Sequence, residues 1–235
     1  MKNLYREVFQ LNESRCKVIT DKPEGIKTAK NSIKTQRRNL EEIIKTNPEF
    51  FCSLKPVPVP SKPLIAKLMA EAAKKANVGP MAAVAGVLAD IATNDMIKAG
   101  CKVAVLENGG EISAISNTPI DVAVAVGGTP LSKRFGFRLE DFPVGVATSS
   151  GCFSHALSFG QAEAATVFCK NAGLADAAAT AVCNVVKGDN CQAAIQAGID
   201  KALSIHDVEG VIIIFGGLTG TAGNIPKIIK VDPTT

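Results

Sequence analysis

Apolar and polar residues alternate along residues 3–11 and 15–20, on either side of Asn12-Glu13. This is the two-residue period of a hairpin, with Val8, Leu11, Val18 and Ile19 supplying its apolar surface. From Glu24 to Thr46 the period lengthens. Ile26, Ala29, Ile33, Leu40, Ile43 and Ile44 recur at helical spacing with Lys and Arg opposite them, which predicts an amphipathic helix whose basic stripe is a solvated face. Pro48 is expected to end it. Pro56, Pro58, Pro60 and Pro63 then predict an extended connector with no regular hydrogen-bonded element, because each proline removes a donor and fixes φ.

Leu64 to Ala76 and Met81 to Ala99 read as Ala-rich helices broken at Asn77-Val78-Gly79-Pro80, where proline suits a first helical turn. Ala82, Ala83, Ala85 and Gly86 are small enough for close backbone approach. Lys102 to Asn108, Glu111 to Ser116 and Asp121 to Val126 are short β-type runs separated by Gly109-Gly110 and Asn117 to Pro119, which predicts consecutive antiparallel strands. Val144 to Thr148 predicts another. Two helices, about Gly173 to Val186 and Asn190 to Ser204, precede a buried strand Val211 to Phe215 and a last strand Lys227 to Val231. The order is that of an α+β protein.

A chain of 235 residues, 46% hydrophobic and 20% charged, can bury about 70% of its unfolded surface, which excludes disorder. Mean hydropathy is +0.18, yet the apolar stretch Met81 to Ala89 runs into Asp90 and is too short for a membrane span. The start, MKNLYREVFQLNESR, lacks the apolar core and cleavage site of an export signal. Seven cysteines without a C-x-x-C signal neither a disulfide framework nor a zinc knuckle, and a reducing cytoplasm fits them. Residues 1–80 hold 16 Lys and Arg against 8 Asp and Glu, a basic half suited to an anion. Nucleic acid is the poorer expectation: there is no Trp, one Tyr, and no aromatic interleaving among the basic residues for base stacking.

Three clusters carry candidate chemistry. In LADAAATAVCN, Asp176, Thr180 and Asn184 fall at i, i+4 and i+8 on one helix stripe, oxygen groups that suit Mg²⁺ completed by water and substrate phosphate. The structural alternative is an Asp offsetting its own helix dipole and a Thr bonding its own backbone. In GVATSSGCFSHALSFG, Thr148, Ser149, Ser150 and Gly151 follow a strand and offer hydroxyls and amides to an anion. His155 is a candidate acid or base there, and Cys152 a candidate thiolate, against the alternatives of a structural histidine and an inert buried thiol. Glu107-Asn108-Gly109-Gly110-Glu111 sets two acids and an amide around a double glycine, either a ligand approach or a plain turn. Gly216 to Gly223 has the glycine density of a phosphate loop, but Pro226 and a strand follow where a helix is required, which excludes Rossmann and Walker sites.

Taken in order, ENGGEI, ATSSG, SHALSFG and LADAAATA resemble the ApbE-type FAD-dependent flavin transferases, which carry an Asn-x-Gly-Gly-Asp turn, an Ala-Thr-Ser-Gly strand end, a downstream His and an Ala-Asp-x-x-Ala-Thr helix. With PEFFCSLKPVPVP and VGPMAAVAG, the chain is similar to a family of short ApbE-related proteins of archaea and some bacteria. The resemblance implies a duplicated T-fold-like α+β unit, antiparallel sheet against long helices, as one domain over 1–235 with two pseudo-repeated halves near 1–115 and 116–235. It implies that Asp176 and Thr180 bind Mg²⁺ beside the phosphates of FAD or another flavin or adenine nucleotide. Asn108, Gly109, Gly110, Glu111, Thr148, Ser149, Ser150 and Gly151 would then cradle this small phosphorylated ligand, and His155 would assist phosphoryl transfer. Glu111 stands where the transferases have Asp, and Ser158-Phe159-Gly160 stands in place of Asp-Pro-x-Thr-Gly. A link of the short family to sulfur assimilation implies a second function class, cysteine or homocysteine formation or persulfide handling on Cys152. The flat, small-residue surfaces of such a fold also imply a homo-oligomer.

Overall fold

Residues 4–123, 135–151 and 159–230 are described by the structure, a computed structural model. Strands β1 (Tyr5–Leu11) and β2 (Ser14–Thr20) form the expected hairpin, and Asn12 takes the left-handed turn position at φ 51°. Helix α1 (Pro23–Thr46) opens on a proline and buries Ala29, Ile33 and Leu40. Pro48 ends it and also starts a second, short helix, α2 (Pro48–Cys52), because proline's fixed φ and missing donor suit a first helical turn. Phe50 anchors that helix in the core, and the proline-rich connector that follows carries no helix or strand before Leu64, as its prolines predict.

Helix α3 (Leu64–Ala76) stops at left-handed Asn77, and a 3-10 turn, Pro80–Ala83, leads into α4 (Val84–Lys98). The hairpin of β3 (Val103–Asn108) and β4 (Glu111–Ser116) turns on Gly109 and Gly110 at φ 73° and 126°. Strand β5 (Ile120–Ala123) does not continue that meander. It pairs with β6 (Phe135–Leu139), which pairs with β11 (Lys227–Lys230) in a separate three-stranded sheet. The partner of β4 is instead β7 (Val144–Ser149), followed by β8 (Ala164–Cys169), α5 (Ala172–Val185), α6 (Cys191–Leu203), β9 (Val208–Phe215) and β10 (Leu218–Gly223). The last of these takes up most of the glycine-rich stretch.

The eight-stranded antiparallel sheet has the order β1-β2-β3-β4-β7-β8-β9-β10. Hairpins β1–β2 and β3–β4 bracket α1 to α4, and β7–β8 and β9–β10 bracket α5 and α6, giving both parts the same strand-strand-helix-strand-strand order. One face of the sheet packs Leu106, Ala147, Val167 and Ile213 against the helices. The other packs Val105, Val146, Phe168 and Ile212 against Val122, Phe137 and Leu139 of the small sheet, with Phe137 and Phe168 edge-to-face at 5.0 Å. The two-sided burial explains why β8, AATVFC, shows no alternation: all six residues are buried. Among the described residues no single helix is long and apolar enough to cross a membrane.

Candidate functional site

Helices α4 and α5 cross where each carries a glycine. A Cβ on Gly86 would stand 2.2 Å from the Ala172 carbonyl oxygen, and one on Gly173 would stand 2.4 Å from Val87 Cγ2. At this separation each helix caps the other. Asp90 of α4 accepts from the backbone N–H groups of Ala172 at 2.9 Å and Gly173 at 2.8 Å, the start of α5. Asp176 of α5 accepts from the N–H of Gly86 at 3.0 Å, near the start of α4. The cap of α5 itself is Asn171, whose Oδ1 accepts from Leu174 N at 2.8 Å. Asp176 therefore serves the other helix's amino end, not its own.

The β3–β4 turn meets this crossing at one end of the sheet. Asn108 shares the helix-facing side with Leu106, and its Nδ2 donates to the Ala85 carbonyl at 3.2 Å. Its Oδ1 accepts from Cys16 Sγ at 3.6 Å. Glu111 lies directly opposite Asn108 in register and so faces the helices too. Burial, reinforced by the charge of Glu107, pushes the Glu111 carboxyl up to about 7. Burial and then the charge of Glu111 push Asp176 well above the usual carboxylate range, while the Gly86 and Ala85 amides pull the other way. Two carboxyls are thus held at this end of the sheet where neither ionises easily. Thr180, one turn beyond Asp176, is also buried. Above Gly110 there is open space: a Cβ there would meet nothing within 4 Å.

The Thr148 to Gly151 segment reaches the same end, since Ile112 of β4 pairs with Val146 of β7, but its members divide. Thr148 shares the far face with Val146 and bonds the Thr166 hydroxyl at 2.9 Å. Gly151 donates its N–H to the Ala162 carbonyl, so that amide is engaged within the fold. Ser150 is buried. Ser149 is on the helix side with Ala147, 5% exposed, and its hydroxyl has no hydrogen-bond partner among the described residues. A buried hydroxyl without a partner is uncommon and points to a ligand or water. Asn184 accepts from the N–H of Phe159 at 2.8 Å.

His155 and Cys152 lie outside the described residues. Of the other cysteines, Cys16, Cys101, Cys169 and Cys183 are buried. Burial raises the Cys16 thiol to about 11 and, with the charge of Glu209, the Cys169 thiol to about 12, so neither supplies a thiolate near neutrality. No group of three His, Cys, Asp or Glu side chains that could hold a metal occurs among the described residues. A cation here would rest on Asp176, Glu111, the Thr180 hydroxyl and backbone oxygen.

The close approach expected at Gly86 is found, against Ala172 of α5, whereas sequence reasoning missed the capping role of Asp90. A signal was available: Leu88-Ala89-Asp90-Ile91-Ala92-Thr93 on α4 repeats Leu174-Ala175-Asp176 followed by Thr180 on α5. The shared element occupies corresponding helices of the two parts.

A family profile described as AbpE bacteria matches residues 7–209. A UPF0280 protein of Methanococcus maripaludis strain C7 is 40% identical over 233 residues, covering 97% of this chain and 94% of the relative. A UPF0280 protein of Methanospirillum hungatei is 38% identical over 229 residues, covering 97% and 91%. Among solved structures, the apo flavinyl transferase ApbE of Pseudomonas stutzeri superposes with a TM-score of 0.61 at 12% identity, over 94% of each chain. The ApbE protein of Thermotoga maritima does so with 0.58 at 12% identity, over 99% of this chain and 98% of that one. At such identity the superpositions speak to the fold, the α+β sheet-and-helix architecture described above. The profile match and the full-length relatives show that the chain belongs to the AbpE bacteria family, an ApbE-related group.

Proposed function

We propose that the sheet end at Asn108, Glu111, Ser149, Asp176 and Thr180 binds a Mg²⁺-nucleotide, a flavin nucleotide such as FAD being the foremost candidate, and that the chain is a Mg²⁺-dependent protein of flavin phosphoryl chemistry. The observation that carries this reading is the pair of raised carboxyls, Glu111 and Asp176, at the sheet end where the buried hydroxyl of Ser149 has no hydrogen-bond partner among the described residues. The donor set fits the group. Carboxylate and hydroxyl oxygens are the ligands Mg²⁺ takes, with water and phosphate completing its shell. When bound, the ion would neutralise phosphate charge and polarise a phosphoryl oxygen.

The chain's own residues supply the rest. Asp176 is set in place by the Gly86 amide, and Asn108 is tied to Ala85, so both sides of the site are fixed to the start of α4. The Gly109-Gly110 turn, at positive φ, lets a ligand approach the backbone without a side chain in the way. Ser149 is placed to donate to an anionic oxygen. The solved flavinyl transferases that share the fold favour flavin over other nucleotides as the first ligand to test.

The test is a thermal shift. Ligand at a hundredfold excess over Kd stabilises by about 2.7 kcal/mol, so FAD with Mg²⁺ should raise the melting temperature, FAD alone should raise it less, and Asp176→Ala should remove the Mg²⁺-dependent part. Melting curves unmoved by FAD, FMN, ATP and ADP, with and without Mg²⁺, would overturn the proposal.

A further inference from the structure

Beside the helix crossing, lined by Asp90 and not by Asp176, is a cleft of about 1010 Å³. Its walls come from α3, α4, β4 and the start of α5. We infer that this cleft is a second ligand site, separate from the proposed nucleotide site, and that it takes a small organic monoanion with an apolar body.

Size and lining set the class. The volume is that of a site for an organic molecule, not for an ion. Leu68, Ala72, Val87, Ile115 and Leu174 line it with aliphatic surface that would cover an apolar body. The charges around it are mostly matched already: Lys75 pairs with Asp207, Lys170 with Glu209, and Glu71 with Lys67. Lys74 lines the cleft, is exposed, and has no ion pair among the described residues, so one positive charge is left to be met.

The polar residues favour an anion over a cation. Asp90 lines the cleft, but both its carboxylate oxygens accept helix N–H groups, Oδ1 from Ala172 and Oδ2 from Gly173. The amino end of α5 thus occupies both oxygens, although burial still holds the carboxyl above the usual carboxylate range. Asn171 has its Oδ1 engaged by Leu174 N, which leaves only its NH₂ group, a donor, to offer. Lys74 and Asn171 therefore both present donors. The repeated Leu-Ala-Asp element thus stands beside two unlike places: an acidic one at Asp176 with Glu111, and a basic-edged, apolar one at Asp90.

Anilinonaphthalene sulfonate, a fused apolar ring system with a single sulfonate, is a direct probe. Titrated into the full chain and followed by fluorescence, it should saturate at one equivalent. Lys74→Glu, a change at an exposed position, should weaken it by about tenfold or more, the scale of a lost charge-assisted contact. Ala72→Phe, which fills the cleft, should abolish it, with circular dichroism confirming that each variant is folded. Asp176→Ala should leave the titration unchanged, and FAD with Mg²⁺ should not displace the probe, so failure of the nucleotide reading and failure of this one remain distinguishable. Absence of saturable binding, binding insensitive to Lys74→Glu, or displacement by FAD with Mg²⁺ would each overturn the inference.

Discussion

The pH dependence of the metal-free protein should turn on Glu111. Its carboxyl titrates near 4.5 when unfolded and at about 7 when folded, burial being the main cause. Between those values the folded chain holds a proton that the unfolded chain has released, so stability falls as pH rises. The contribution is intact below about pH 4.5 and fully lost above about pH 7. At 1.36 kcal/mol per unit the loss is about 3 kcal/mol, and Asp176, raised in the same sense, adds to it. Glu111→Gln keeps the shape and cannot ionise. Urea unfolding followed by circular dichroism, from about pH 4 to about pH 8 without divalent ions, should show wild type losing stability across the window and the variant losing much less. At the top of the range Glu111→Gln should be the more stable protein by as much as about 3 kcal/mol. Mg²⁺ should then restore wild type at high pH and do little for the variant, because it favours the deprotonated pair. Parallel pH curves for the two proteins would refute the reasoning, since they would show that Glu111 is not strained where it sits.

Asp176→Asn keeps an oxygen for the Gly86 N–H and cannot ionise, so metal-free stability should stay within about 1 kcal/mol of wild type near pH ~4 and exceed it near pH ~8, while the Mg²⁺ response in a thermal shift disappears. Asp90→Ala strands the Ala172 and Gly173 amides and should cost about 2 kcal/mol or more in urea unfolding. Gly86→Ala drives a methyl against backbone at 2.2 Å and should cost about 3 kcal/mol or prevent folding, read by the same unfolding curve. Native alkylation near neutral pH, mapped by mass spectrometry, should label exposed Cys52 and spare Cys16 and Cys169. The sheet ends in open edges at β1 and β10, and β1 exposes Tyr5 and Val8, the latter at 61%. We propose a homo-oligomer through such an edge, and light scattering should show a dimer or larger at micromolar concentration.

Where burial is one-sided, the period of the sequence gives the element. The β1–β2 hairpin and α1 are legible because their outer faces are wet, and Asn12 supplies the left-handed turn. Strand β8 is not legible, since a sheet covered on both faces erases alternation, and its Ala-rich start reads equally as helix. Strand β5 is legible as a strand but not by its partner: only the fold shows that it leaves β4 for β6. The Asp176, Thr180 and Asn184 stripe of α5 and the Asn108 to Glu111 turn can be read as motifs, and the structure brings Asn108, Glu111 and Asp176 to one end of the sheet. Asp90 could not be assigned from its neighbours, because the amides it holds are 82 and 83 residues away.

The exchange of caps between α4 and α5 explains how one carboxylate can serve both fold and site. A carboxylate has about four lone-pair positions, and Asp176 gives up only part of that capacity to the start of α4. The positive end of α4 also favours its ionised form against the desolvation that opposes it. Asp90 makes the matching contact with two amides and has no second carboxyl comparable to Glu111 pressing on it. The difference between the two halves thus lies in what faces each aspartate: on one side Glu111, on the other the Ser113 hydroxyl, which is itself bonded to Thr93 at 2.9 Å. The same Leu-Ala-Asp element has both carboxylate oxygens engaged by its own fold at Asp90, whereas at Asp176 burial and Glu111 together raise the carboxyl, and the proposed cation site rests on that difference.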